Sequence, residues 1–308
     1  MSLRARFLNT YLRAVEKPRL KRTADPRDLR PALERQARLF FHAPRGTQMQ
    51  WRVLEAGQRR VDALEIVPHR LRSDGVVLYI HGGAFVFGSP RTHAAMAAAL
   101  AARLGARVIL PRYRLAPEAP FPAAPIDVRA AWDALGAQGI AAEKIIVGGD
   151  SAGGALALGL LSALCADDAA RPAGTFGFSP LTDLTYSGDS FLANAEREAV
   201  LAADRAEELR EMYLTDAAAD RAEVSPLFAD FAGATPVWLT VGDTEILCDD
   251  SRRMAKRLRA QGVETTLEER QDLPHVWPIF HNVLPEGRES LDQVAGWIMQ
   301  RPGWQGEN

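Results

Sequence analysis

Ser151, Asp243 and His275 are three residues that, in this chain order, could together carry an acyl-transfer cycle. A serine hydroxyl is a poor nucleophile until a base accepts its proton, and that base needs an oriented partner. Ser151 lies in the stretch VGGDSAGG, 147–154, whose core Gly149-Asp150-Ser151-Ala152-Gly153 is a GxSxG pattern. An apolar run precedes it and the helical run ALALGLLSAL follows it. A sharp strand-to-helix turn would hold the serine on a strained backbone, and small residues two before and two after it avoid collision. Two other glycine-rich readings fail. A Walker loop needs GxxxxGK followed by Ser or Thr, and no such lysine is present; the dinucleotide pattern GxGxxG does not fit 147–154 either.

Acid and base candidates are chosen by where they fall relative to later strands. PVWLTV ends at Val241 and is followed by Gly242-Asp243; VETTLEER, 263–270, is followed by a short loop holding His275. Asp243 is therefore preferred as the acid. Asp249 and Asp250 lie further on and read as acids of a first helical turn, where they favour the helix dipole. Asp272 shares the His275 loop. His281 falls farther into the following segment, and His42, His69 and His93 read as surface or core histidines. No Cys, Glu or third His joins His275 and His281 at ligand spacing, so a zinc site is poorly supported. Charge developing on a substrate oxygen needs hydrogen-bond donors. One is expected from the amide of Ala152, and others from the loop His81-Gly82-Gly83-Ala84-Phe85, whose glycines let backbone approach a ligand closely.

The elements that must position these residues alternate. MQWRVLEAG (49–57) and DALEIVPHRL (62–71) read as paired strands, and VVLYI (76–80) as a buried one. Helix 93–105, strand 106–110, a helix near 125–136, strand 144–149, a helix from about 152 to 165, strands in TFGFSP and PVWLTV, and strand 263–270 follow, with LDQVAGWIM closing the series as a helix. Such alternation implies an α/β fold with a mostly parallel sheet covered on both faces and its chemistry at the carboxyl ends of the strands. Residues from about 182 to 228 break the pattern and are expected to form an excursion above the sheet. At the amino terminus Leu3, Phe7, Leu8, Tyr11, Leu12 and Val15 fall at helical spacing among Arg and Lys. The stripe is expected to pack onto the protein with its charges in water, a membrane surface being the alternative. A second helix is expected after Asp28, running toward Phe41.

The 308 residues are 47% apolar and 25% charged, with a formal net charge of -2, which argues against a nucleic-acid partner. Charge is uneven: residues 1–60 hold 15 Lys and Arg against 5 Asp and Glu. Cys165 and Cys248 form no CxxC pair and suggest no disulfide framework. No run reaches the roughly 18 apolar residues of a membrane span. With no recognisable secretory signal, a cytoplasmic location is expected.

With these residues placed, the chain resembles the hormone-sensitive-lipase-like family of α/β-hydrolase esterases over roughly 75–285. HGGAF, 81–85, resembles that family's HGGG loop; YRLAPEAPFPAAPIDV, 113–128, its characteristic following segment; GDSAGG, 149–154, its nucleophile motif. The departures are Ala84 for the third glycine, Asp243-Thr244-Glu245 where the acid motif is usually Asp-Pro-Leu, and Ala155 where Asn is frequent. The resemblance implies a single α/β-hydrolase domain over 1–308, with a helical cap built from about 1–45 and about 182–228. It implies nucleophile Ser151, acid Asp243, base His275, and oxyanion donors on the amides of Gly83, Ala84 and Ala152. Phe85, Phe87 and Trp277 are the expected pocket residues. The expected activity is hydrolysis of short- to medium-chain carboxylic esters with no metal or organic cofactor. The alternatives are an amide-directed hydrolase and a catalytically silent receptor. The expected partner is a small-molecule ester, with a homodimer as a possible assembly.

Overall fold

Residues 1–304 are described by a computed structural model, in which alternating strands and helices build one eight-stranded sheet. The strands are β1 (Gln48–Ala56), β2 (Arg59–Val67), β3 (Val76–Ile80), β4 (Arg107–Pro111), β5 (Ile145–Asp150), β6 (Gly174–Phe178), β7 (Val237–Gly242) and β8 (Thr265–Arg270). Their order across the sheet is β1-β2-β4-β3-β5-β6-β7-β8. β2 runs antiparallel to both β1 and β4, and all other pairs are parallel. Every strand expected from the sequence forms, the largest displacement being at β2, which starts before Asp62 and stops at Val67.

Helices α1 (Leu3–Tyr11), α2 (Lys17–Arg22) and α3 (Leu29–Phe40) precede the sheet. Between strands come α4 (Pro90–Leu104), α5 (Ala123–Ala137), α6 (Ser151–Ala166), α7 (Asp189–Ala193), α8 (Ala206–Leu214) and α9 (Cys248–Ala260), and α10 (Pro285–Met299) closes the series. α4 begins at Pro90, ahead of the expected His93, because Ser89 caps it. Its side chain accepts from the Thr92 amide while Thr92 returns a bond to the Ser89 amide, and Gly105 ends the helix in the left-handed conformation.

The sheet's central strands are buried on both faces, which is why they read as unbroken apolar runs. Val76, Leu78 and Ile80 of β3 face one core with Val147 and the apolar side chains of α5 and α6. Val77 and Tyr79 alternate to the other, with Ile146, Phe176 and residues of α4 and α10. Truncating one such side chain, Leu78→Ala for instance, costs about 2–5 kcal/mol. That core makes the carboxyl ends of β3, β5 and β7 a rigid platform for the loops that follow them.

Above those ends lie two helical segments that are far apart in sequence. α1 to α3 form one; residues 182–228, with α7 and α8 and no strand, form the other, in agreement with the expected excursion. Basic side chains of one segment donate to carbonyls of the other. Lys17 Nζ reaches Ala195 O (2.7 Å) and Glu198 O (2.9 Å), and Arg205 reaches Lys21 O and Thr23 O. The start of the insertion is pinned to α9, where Asp250 accepts the amides of Thr182 (2.7 Å) and Asp183 (2.9 Å). Part of the basic amino-terminal charge thus serves as structural donors. The amino-terminal stripe departs from expectation: Leu12 is buried and Leu8 half-buried, but Leu3, Phe7, Tyr11 and Val15 are exposed. Among the described residues no helix is long and apolar enough to cross a membrane.

Candidate active site

Ser151 is the first residue of α6, directly after β5, and its φ of 50° places a non-glycine residue in the left-handed region. The neighbouring glycines leave no room for a side chain. A Cβ on Gly153 would lie 2.1 Å from Ile80 O, and one on Gly149 would lie 2.4 Å from Gly153 O. The GxSxG spacing is therefore set by backbone packed against backbone, and the serine stands at the apex. Ala152, next in the helix, has a first-turn amide that no intrahelical carbonyl can reach.

The loop after β3 folds beside this turn. Gly83 has φ 124°, and a Cβ there would sit 2.1 Å from Phe87 O. Ala84 and Phe85 follow with φ of 51° and 62°, so Ala84 tolerates its Cβ in the conformation a glycine would take more readily. Gly83 O accepts the amides of Val86 (3.0 Å) and Phe87 (2.9 Å), while among the described residues the Gly83 and Ala84 amides donate to no protein group. Tyr113 OH donates to His81 O at 2.8 Å, and Arg30 of α3 donates to Val86 O and Ala116 O, each at 2.8 Å. Strained loop geometry is thus fixed from three sides.

Behind both loops lies a buried cluster. Asp150 accepts from Tyr79 OH at 2.8 Å and meets His93 Nε2 at 3.2 Å. Burial opposes charge on both partners, yet the mutual attraction prevails: the Asp150 carboxyl is held below its ordinary range and the His93 imidazole above its own. His81, stacked on Tyr113, is pushed down to about 3 by burial and by His93.

His275 follows β8 and is buried. Its Nδ1 is bonded at 2.6 Å to Glu245 Oε2, so the carboxylate that meets the histidine is Glu245, two residues after the expected Asp243. The physical reason is the turn after β7. The Glu245 amide donates to Gly242 O at 3.1 Å, closing a four-residue turn that returns the longer Glu side chain beneath the strand end. There Glu245 Oε1 also accepts the Gly242 amide (2.6 Å) and the Ser179 hydroxyl (2.8 Å). Asp243 instead accepts the Asp272 amide at 2.7 Å and shapes the histidine loop. A signal was present: Glu245-Ile246-Leu247 keeps the acid-x-Leu pattern in the frame two residues on. Asp249 and Asp250 do occupy the first turn of α9. The His275 imidazole, lowered by burial, is raised overall by Glu245, with Glu198 and Asp150 adding to it. Its Nε2 is buried and bonded to no group of the protein among the described residues.

Ser151, His275, Gly83 and Ala84 line one cavity of about 430 Å³. Its remaining wall is mostly apolar and comes from both helical segments, including Leu8, Leu33, Phe40, Phe191 and Leu209. Phe87 lines it as expected; Phe85 and Trp277 do not. Phe85 turns into the core and stacks on Tyr213 with ring centroids 3.8 Å apart. Trp277 is wholly buried, its Nε1 donating to Ser290 Oγ at 2.9 Å. Nothing in the aromatic type itself told which way these loop residues would point.

Residues 77–279 match the family model described as alpha/beta hydrolase fold. The chain is 36% identical, over 75% of its length and 78% of the relative's, to an acetyl-hydrolase of Streptomyces hygroscopicus. It is 33% identical to an esterase of Acinetobacter venetianus over 94% of both chains. Among solved structures, an esterase from the bacterial hormone-sensitive lipase family superposes with a TM-score of 0.90 at 33% identity, covering 98% of this chain and 99% of that one.

Proposed function

The chain belongs to the bacterial hormone-sensitive-lipase-like family of α/β hydrolases, and from that footing we propose that it hydrolyses short- to medium-chain carboxylic esters through Ser151, His275 and Glu245. The observation that carries this reading is that the His275–Glu245 pair and a strained Ser151 share the wall of one apolar cavity.

In the first half-reaction the Ser151 hydroxyl attacks the ester carbonyl carbon while His275 Nε2 takes its proton. Glu245 holds the other ring nitrogen in the donor tautomer and balances the imidazolium charge. The amides of Gly83, Ala84 and Ala152 receive the oxyanion, each donor of this kind being worth about 3–4 kcal/mol. Collapse of the tetrahedral species breaks the carbon–alkoxy bond, and His275 returns the proton to the departing alcohol. Water then attacks the acyl-serine by the same route reversed, releasing the acid. The apolar wall supplies binding for the hydrocarbon parts, about 0.8 kcal/mol for each buried methylene.

The test is the initial rate on p-nitrophenyl esters from acetate to palmitate, with Ser151→Ala alongside. Activity peaking at short or medium chains and lost in the variant is expected. A folded protein inactive on every ester, or one that turns over a matched anilide faster, overturns the reading in favour of a receptor or an amide substrate.

A further inference from the structure

α1 exposes an apolar stripe that the fold does not cover. Leu3 is 69% and Phe7 76% exposed, and Tyr11 follows at the same spacing of four residues, so the three stand in one row along the outward face. Leu39 and Phe40, at the end of α3, are also exposed, as is Val283. Arg4 Nη1 donates to Val283 O, and the Ser2 amide donates to Glu286, so α1 lies along the 283–286 segment. Tyr11, Phe40 and Val283 are at once exposed and part of the wall of the Ser151 cavity. The stripe is therefore continuous with the cavity's mouth.

The charges on α1 and at the end of α3 are basic, while Glu16 at Tyr11 and Glu286 at Ser2 are acidic groups at the edge of the patch. α1 has no acidic residue, and at 100° per residue its Arg4 and Arg6 fall on opposite flanks of the Leu3–Phe7–Tyr11 row. Arg35 and Arg38 stand beside Leu39 and Phe40 on α3. Among the described residues, Arg6, Arg35 and Arg38 form no ion pair, in contrast to Lys21 with Asp204 and Arg30 with Glu118. An exposed apolar row flanked by arginines has the residue pattern that suits the boundary between headgroups and acyl chains of an anionic lipid surface. An exposed apolar patch of this kind marks a contact site.

We propose that the outward face of α1, with the end of α3 and Val283, is an adsorption surface for anionic lipid bilayers, placing the cavity mouth against the lipid. Phe7 and Leu3 enter the acyl boundary, and the arginines meet the negative headgroups. That this brings apolar esters to Ser151 rests on the esterase reading; adsorption itself requires no hydrolysis.

Flotation of the full chain with vesicles of phosphatidylcholine alone, and of phosphatidylcholine mixed with phosphatidylglycerol, tests it. The wild type is expected to float with the mixed vesicles, less so as salt is raised, and to remain unbound with phosphatidylcholine alone. Leu3→Asp/Phe7→Asp should reduce flotation by about tenfold or more, since two apolar side chains lose their burial. Neither residue lines the cavity, so hydrolysis of monomeric p-nitrophenyl butyrate and the thermal midpoint should stay unchanged in that variant. Arg6→Glu/Arg38→Glu should lose the anionic preference. Wild-type protein that fails to float with anionic vesicles overturns the proposal, as does equal flotation of the double aspartate variant. Sedimentation velocity showing a dimer broken by Leu3→Asp/Phe7→Asp, without vesicle binding, reassigns the face to contact between two copies. Loss of butyrate hydrolysis in Ser151→Ala, measured separately, reports on the esterase reading alone.

Discussion

Glu245 Oε2 and His275 Nδ1 meet at 2.6 Å, while Asp243, two residues earlier, holds the amide of Asp272. The two carboxylates therefore have separable duties. Glu245→Gln keeps the shape but removes the charge that fixes the imidazole tautomer, and kcat should fall by about 10³–10⁴. Asp243→Asn weakens one hydrogen bond to a loop amide, with a stability loss of about 1 kcal/mol and a change in kcat of no more than several-fold. Steady-state kinetics of the two variants decide the matter. The opposite ranking would return the acid role to Asp243.

A third carboxylate, Glu198 of the insertion, sits close to Glu245 and His275. Its Oε2 accepts the Ile246 amide at 3.1 Å and its Oε1 the Val200 amide at 2.8 Å, so it joins the insertion to the turn that carries Glu245. Burial pushes its own carboxyl up, and it adds to the raising of His275. The imidazole must be neutral to accept the serine proton, so kcat/KM should decline on acidification through a limb above the ordinary histidine value of 6.5. Glu198→Gln removes a negative charge that favours imidazolium, and the limb should move to lower pH. A pH profile whose limb stays in place would leave Glu198 a merely structural tie.

Two glycines of one helix test the packing argument. Gly153→Ala brings a Cβ to 2.1 Å of Ile80 O, a backbone atom that cannot swing aside, and the turn holding Ser151 must shift. A loss of about 1–3 kcal/mol is expected, with activity falling at least tenfold because a misplacement near 1 Å costs about 10²-fold. Gly159→Ala, in the same α6, meets nothing within 4 Å and should stabilise by about 0.5–1 kcal/mol. Thermal denaturation of both variants, with rates on one ester, reads the contrast.

The central strands were legible because burial on both faces demands continuous apolar runs, as in VVLYI and KIIVGG, and a run of that kind bounded by glycines has few other uses. Ser151 was legible because the glycines around it answer to backbone contacts that any sequence making this turn must respect. The carboxylate that meets His275 was not, because its identity depends on a turn that carries the side chain back under β7 and on the extra methylene of Glu245. Position after the strand pointed to Asp243; reach pointed to Glu245. Phe85 and Trp277 failed for a related reason. Left-handed backbone at Phe85 sends the ring toward Tyr213, and aromatic character is the same on either side of a loop. The outward stripe of α1 was hidden by the usual rule that apolar rows face inward. Ala5, Asn9 and Leu12 fill the inward face instead.

The cluster behind Ser151 gives a prediction in which stability and function share a cause. Asp150 is the residue before Ser151, and a Cβ on Gly82 would lie 2.2 Å from Asp150 Oδ2, so this carboxylate sets the spacing between the Ser151 turn and the loop after β3. Its charge is supported by Tyr79 and by His93. Because Asp150 raises His93 above 6.5 in the folded state, the protonated pair contributes stability in full below the unfolded histidine value. That contribution is lost as pH rises through the raised folded value. The thermal midpoint should accordingly decline from neutral toward alkaline pH. His93→Ala strands a buried carboxylate and should cost about 3–5 kcal/mol, while reducing that alkaline decline to the part that the raised His275 contributes. The same variant should lower kcat more than it raises KM, because the displaced loop amides act on the oxyanion and not on the bound ester. A variant that keeps the wild-type decline would show that another group governs it, and unchanged kcat would separate the cluster from the positioning of Ser151.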